Sequence, residues 1–229
     1  MGGVSEAGVM LALSEEIEQV EYRLRQWFPA PAFVKAARIT EYSILPEEWA
    51  LVANAAGHRQ REFSTGRWLI REGLRHFGLP DAPVKIGKLR NPLWPDSMVG
   101  TISHDEQLCA VVLMREWEQA GAGVGIDLVH LPLRAERIVD VASMFVADAD
   151  ELRAMETMNI AADPAVILFS VKESIIKAMS SQLNDFIDMR AIKVGYTDNL
   201  YFRISGNTVD AHVMAAVAGD YLVTAVKVG

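Results

Sequence analysis

The stretch FSTGRWLIR, Phe63 to Arg71, can be laid over FSVKESIIK, Phe169 to Lys177, at one fixed offset: Phe, Ser, a late Ile and a terminal basic residue coincide. Internal similarity constrains a fold more than a local motif does, because each copy must carry the same element in the same order. Both copies read as helices that open near Ser64 or Ser170 as potential N-caps. Each is followed by two apolar, β-rich runs with a polar break. These are MVGTISH and LCAVVLM around Asp105, then AHVMAAVA and YLVTAVKV around Gly219 and Asp220, with Leu108 and Leu222 in similar places. Such runs predict antiparallel hairpins. The expectation is an α+β chain of two similar halves related by pseudo-twofold symmetry, residues 1–117 and 118–229, joined through EWEQAGAG (Glu116 to Gly123). A ligand cleft would lie between them, since junctions of this kind are common ligand sites.

With 229 residues, 51% of them hydrophobic, the chain can bury one large core or two small ones. Its one cysteine, Cys109, permits no disulfide within the chain and fits a reducing, cytoplasmic setting. The first twenty residues have no basic flank, and their apolar run stops at Glu15 and Glu16, which fits neither a signal peptide nor a membrane span. Glu6 stands where an acylation motif after Gly2 needs Ser or Thr. SEEIEQVEYRLRQW predicts a terminal helix without an assigned role. Two halves in one chain make a monomer adequate.

A net charge of −8 argues against nucleic-acid binding, which needs an excess of Lys and Arg. The charge is unevenly spread, however. Residues 58–90 alone are basic, with eight Lys and Arg against three Asp and Glu, and include Arg59, Arg61, Arg67, Arg71, Arg75, Lys85, Lys88 and Arg90. That patch suits a phosphorylated small molecule or an acidic protein, or is simply a solvated face.

Helical spacing puts Arg67, Arg71 and Arg75 on one stripe and relates Glu173 to Lys177. In AGVGIDLVHL, Ala122 to Leu131, a single acid, Asp127, interrupts an apolar strand. A carboxylate stripped of water needs a partner. Asp127 and Glu173 would hold Mg2+ if the fold brings them together, the rest of the octahedron coming from water and phosphate oxygens. The plainer alternatives are a strand-end cap for Asp127, an exposed helical ion pair for Glu173 and Lys177, and a hairpin residue for His104 where a general base would also fit.

Four segments occur in order: REFSTGR, NPLWPDSMVGTISH, VGIDLV and FSVKESIIKA. Together with WFPAPAF and LPEEWALV upstream, they resemble the 4'-phosphopantetheinyl transferases of the enterobactin- and surfactin-synthetase-activating type, from about Trp27 to the C-terminus. The resemblance implies transfer of the phosphopantetheine arm of coenzyme A to a serine of an acyl or peptidyl carrier protein, with Mg2+, releasing adenosine 3',5'-bisphosphate. It implies Asp127 and Glu173 as metal ligands, Glu173 also accepting the serine proton, and Lys177 facing the pyrophosphate. Ser103, His104 and Lys88 would contact coenzyme A phosphates, joined by Arg59 from the basic stretch and by Arg67 or Arg71.

One position departs from the pattern: family members of this type often carry an acid two residues after the strand Asp, and here that residue is Val129. Water would fill the vacancy, and Mg2+ dependence would persist with weaker affinity. The rival reading is a non-catalytic coenzyme A binding or assembly protein of the same fold. The segments do not say whether the carrier belongs to siderophore, peptide or polyketide synthesis.

Overall fold

The structure is a computed structural model that describes residues 6–116, 123–196, 200–204, 206–209 and 211–229; the interior of the expected linker, 117–122, lies outside the described residues. The order of elements is α1 (Glu6–Trp27), β1 (Phe33–Arg38), α2 (Pro46–Trp49), α3 (Gly57–His76), β2 (Met98–Asp105) and β3 (Leu108–Arg115). There come next β4 (Gly123–His130), α4 (Leu131–Asp140), α5 (Ala149–Glu156), α6 (Pro164–Ala178), β5 (Ile192–Tyr196), β6 (Leu200–Ile204), β7 (Asn207–Val209), β8 (Ala211–Ala218) and β9 (Tyr221–Val228). The chain is α+β, with three antiparallel sheets ordered β1-β3-β2, β4-β9-β8 and β5-β6-β7.

The first two sheets repeat one topology. Each places its last strand in the centre, paired with the hairpin strand before it and with a strand that precedes the long helix. Both central strands are apolar on both faces because both faces are covered. Cys109, Val111 and Leu113 of β3 pack with Leu69, Ile70 and Leu74 of α3, while Leu108, Ala110 and Val112 turn to a second core. In β9, Leu222 and Val226 pack with Val171 and Ile175 of α6, whereas Tyr221, Val223 and Ala225 join that same second core. Val20 and Leu24 of α1 complete it, so the terminal helix closes a core shared by the two sheets. Among the described residues no helix is long and apolar enough to cross a membrane.

Two local expectations change. Ser64 and Ser170 are helix-interior, not N-caps: α3 starts at Gly57, and α6 starts at Pro164 behind Asp163, whose side chain accepts from the Ala165 N–H. Pro at the first helical turn with Asp before it is the stronger start signal. The third sheet, β5 to β7, is an addition to the expected hairpins; its strands are three to five residues long and bring little apolar periodicity.

Helix α6 rests directly on the backbone of β4. A Cβ on Gly125 would lie 1.9 Å from the Ser174 carbonyl oxygen, and one on Gly123 would lie 2.0 Å from that of Ala178, so only glycine allows this approach. Beside it, β2 meets β4 through side chains. Thr101 Oγ1, Ser103 Oγ and Asp105 Oδ2 accept from the backbone N–H groups of Ile126, Leu128 and His130 at 3.0, 3.2 and 2.7 Å. The alternation of both strands keeps these three rungs in step.

Candidate active site

Asp127 projects from β4 toward α6 and is 6% exposed. Its Oδ1 accepts from Ser103 Oγ at 3.0 Å and from Lys177 Nζ at 2.7 Å; its Oδ2 accepts from Ser170 Oγ at 2.9 Å. Lys177 also donates to Ser103 Oγ and to the Ile126 carbonyl, both at 3.0 Å. Because α6 sits so close to β4, Ser170, Glu173, Ser174 and Lys177 arrive on or beside Asp127 within two turns of one helix.

The three charges of FSVKESIIK have three different surroundings. Lys172 is fully buried, 2.8 Å from Glu151 Oε1, and donates to the carbonyls of Phe145 and Met189 at 2.7 and 3.0 Å. Burial pushes its pKa down, with the Glu151 partnership opposing. Lys177 is the counter-ion of Asp127. Glu173 has no hydrogen bond or ion pair among the described residues. Burial raises its carboxyl pKa, Lys177 opposes, and the negative charge of Asp127 adds to the rise.

Asp127, Glu173 and Lys177 line one cavity of about 410 Å³ together with Arg59, Ser103 and His104. Arg59 Nη1 lies 3.0 Å from His104 Nε2, and Glu62 is 3.6 Å from His104 Nδ1. Burial lowers the His104 pKa, Glu62 opposing and Arg59 adding to the fall. Arg67 lines an adjoining cavity of about 190 Å³ with Arg59 and His104. It is 4% exposed, lies 3.6 Å from Glu48, and burial brings its pKa down to about 10.

Arg71 is not brought to either cavity. It sits 2.5 Å from Glu48 Oε2 and donates to the Ser43 carbonyl, so the stripe of three arginines does not face one ligand. Lys88 is exposed and reaches across to the Asn184 carbonyl at 3.0 Å, with Asp185 at 3.5 Å. It stands at the rim of a third cavity of about 420 Å³, which Leu89 and Asp185 line and which shares Glu173 and Lys177 with the first. Val129, where a third acid would stand, packs into the α6 core and also lines the 410 Å³ cavity with an apolar side chain.

Sequence reasoning passes over Arg90 and Arg134, which also line the 410 Å³ cavity, and the hydroxyls of Ser170 and Thr224 beneath Asp127. Arg90 is visible in the basic stretch; the hydroxyls carry no sequence signal of their own. A separate trio, Glu16, His130 and Asp220, brings ligand atoms within 4.8 Å of one another on α1, β4 and the β8–β9 turn, with neither Asp127 nor Glu173 among them.

The donor set fits a hard divalent cation. A carboxylate offers about four acceptor directions, and Asp127 uses three, which leaves one on Oδ2. Glu173 lies beside it with both oxygens uncommitted, in a site where burial disfavours a second bare carboxylate. Arg59, Arg90 and Lys177 surround the pair with positive charge suited to phosphate oxygens.

Fold and site thus define an α+β protein that gathers two carboxylates and several cations around one cavity. Residues 47–114 match the 4'-phosphopantetheinyl transferase N-terminal domain, and residues 123–226 match the 4'-phosphopantetheinyl transferase superfamily. The chain belongs to the 4'-phosphopantetheinyl transferase superfamily. It is 36% identical over 134 residues to 4'-phosphopantetheinyl transferase PptT of Mycobacterium tuberculosis, a match covering 58% of this chain and 57% of that one. To 4'-phosphopantetheinyl transferase Svp of Streptomyces mobaraensis it is 30% identical over 146 residues, 59% of this chain and 54% of that one. The match thus spans little more than half the length of these relatives. A crystal structure of holo-[acyl-carrier-protein] synthase from Thermotoga maritima aligns at 20% identity and a TM-score of 0.35, covering 46% of this chain and 62% of that one.

Proposed function

We propose that the chain transfers the 4'-phosphopantetheine arm of coenzyme A to a serine hydroxyl of an acyl or peptidyl carrier protein and releases adenosine 3',5'-bisphosphate. One observation carries the reading: Asp127 and Glu173, far apart in sequence, line one cavity with Lys177, Arg59 and His104. Residues 1–117 and 118–229 are taken as two halves related by a pseudo-twofold axis, with the cavity in the cleft where β2 meets β4. The repeated sheet topology supports that division.

In this reading Asp127 and Glu173 hold Mg2+, which when bound would offset negative charge on the pyrophosphate. Arg59, His104, Lys177 and Arg67 bind coenzyme A phosphates, with Lys88 at the rim; Ser103, its hydroxyl committed to Asp127, Lys177 and the Leu128 N–H, holds the carboxylate instead of a phosphate, and Arg71 stays in its ion pair with Glu48. The serine oxygen forms a bond to the phosphorus that carries the pantetheine arm, and the bond from that phosphorus to the bridging oxygen breaks. Glu173 accepts the serine proton, a task for which a carboxyl whose pKa burial raises is better suited than an ordinary one. Lys177 meets the charge that develops on the departing phosphate. An uncommitted Glu173 beside a bound Asp127 favours this over a coenzyme A binding protein without activity, which has no need of a free base.

The test is intact mass of an unmodified carrier protein after incubation with the chain, coenzyme A and Mg2+. A gain equal to the phosphopantetheine arm, lost in Asp127→Asn and after chelation, is expected. No gain with carriers of the acyl and peptidyl kinds would overturn the reading.

A further inference from the structure

The duplicated Phe–Ser pair leaves one residue without an assigned role, since Ser170 caps nothing. Its neighbourhood is a closed set of hydroxyls. Ser170, Ser174 and Thr224 are each 0% exposed. Thr224 stands directly opposite Asp127 in the β4–β9 register, with its Oγ1 2.8 Å from Ser170 Oγ and 2.8 Å from Ser174 Oγ.

Counting protons gives these contacts a direction. Ion-paired Asp127 has no hydrogen to give, so Ser170 spends its single hydroxyl hydrogen on Asp127 Oδ2. Ser170 Oγ can then only accept from Thr224, whose hydrogen also has the Ser170 carbonyl at 3.0 Å within reach. With that hydrogen committed, Thr224 Oγ1 accepts from Ser174. When Thr224 turns its hydrogen to Ser170 Oγ and not to the Ser170 carbonyl, the series runs Ser174 to Thr224 to Ser170 to Asp127, and bonds aligned this way strengthen one another.

Ser103 holds the other oxygen of the same carboxylate, and its own capacity is full. It donates to Asp127 Oδ1 and accepts from the Leu128 N–H and from Lys177. The carboxylate is thus gripped at both oxygens, with one acceptor direction left on Oδ2. The matching serine of the first half, Ser64, does something else: it donates to the carbonyls of Thr40 and Arg61. Helical position alone therefore does not explain what Ser170 does.

We propose that Ser170, backed by Thr224, is a positioning residue that fixes the rotation of the Asp127 carboxylate so that the remaining acceptor direction of Oδ2 is presented to a divalent cation. This rests on the assignment of Asp127 as a metal ligand. Groups that orient a metal ligand typically change metal affinity by about 10- to 100-fold when removed.

The experiment is titration of the full-length chain with Mn2+, followed by calorimetry and by electron paramagnetic resonance of free Mn2+, beside steady-state kinetics. Ser170→Ala is expected to weaken Mn2+ binding about tenfold and to raise the apparent KM for Mg2+ by a similar factor, leaving the KM for coenzyme A unchanged. Thr224→Val, which keeps the shape and removes the hydroxyl, should weaken Mn2+ binding less, and Thr224→Ser should restore it. Wild-type Mn2+ affinity in both Ser170→Ala and Thr224→Val, whatever their melting temperatures, would overturn the proposal. If Ser170→Ala does not fold, the Thr224 pair decides alone, with Val equal to Ser as the refuting result. Wild type that binds no Mn2+, or binds it equally well as Asp127→Asn, would instead sink the metal assignment itself.

Discussion

Lys177 Nζ lies 2.7 Å from Asp127 Oδ1 across fifty residues of sequence, and the same ammonium is held by Ser103 Oγ and the Ile126 carbonyl. The cation is therefore parked on the acidic site by three acceptors, from which it can turn to an incoming phosphate. Lys177→Ala is expected to lower kcat/KM for coenzyme A about 100-fold, the usual scale for losing one group that stabilises developing charge. Steady-state kinetics at saturating Mg2+ measure it, and a loss below about threefold would shift the role to Arg59 or Arg90.

Gly125 sets how closely α6 approaches β4. Gly125→Ala would place a methyl group 1.9 Å from the Ser174 carbonyl oxygen and 2.7 Å from the Ala178 nitrogen, so the helix must move. Overpacking of this kind costs about 1–3 kcal/mol. Displacement of Glu173 and Lys177 from Asp127 by about 1 Å would reduce turnover per folded molecule about 100-fold. Thermal unfolding and kinetics on the folded fraction would show both losses; unchanged turnover would mean the helix does not set the geometry.

Glu173 keeps its proton to a higher pH when folded than the usual 4.5, mainly through burial. Between 4.5 and that raised value the folded state binds more protons than the unfolded one, so stability falls as pH rises through this window and stays reduced above it. Glu173→Gln removes the effect. In the presence of a chelator its melting temperature should exceed that of the wild type at about pH 8 and match it below about pH 4. Equal melting temperatures at the higher pH would contradict a strained carboxylate.

Lys172 belongs to the same motif but serves packing. Lys172→Met leaves Glu151, 1% exposed, without its cation while Ala147 and Val194 N–H groups still point at it. Breaking a buried pair in this way costs about 3–5 kcal/mol. Chemical denaturation should show that loss, with turnover per folded molecule within about threefold of wild type; a larger loss of turnover would place Lys172 in the chemistry.

The hairpins are readable because apolar, β-branched runs flank obvious turn residues, and the glycine at the second turn has a positive φ of 59°. Asp127 stands out because a lone acid in an apolar strand demands a partner. Arg67 and Arg71 are not separable from sequence, since both share one helical stripe and both end up buried beside Glu48 of a different helix; only the folded packing gives Arg71 the close contact and leaves Arg67 at the edge of a cavity. Ser170 reads as a cap only when the helix start is placed six residues late, beyond the Asp163–Pro164 signal. The partners of Thr101, Ser103 and Asp105 depend on two strands with no fixed sequence relation, which a linear reading cannot supply.

Between most neighbouring strands the rungs are main-chain atoms, which among substitutions only proline removes. Between β2 and β4 they are side-chain oxygens, so each rung is spelled out by a single position in the gene: 101, 103 or 105. Thr101→Val would strand one buried amide, at about 1–3 kcal/mol, and leave the other two rungs in place. The joint that frames the cavity is therefore adjustable in single steps, and selection can tighten or slacken it without redrawing either sheet.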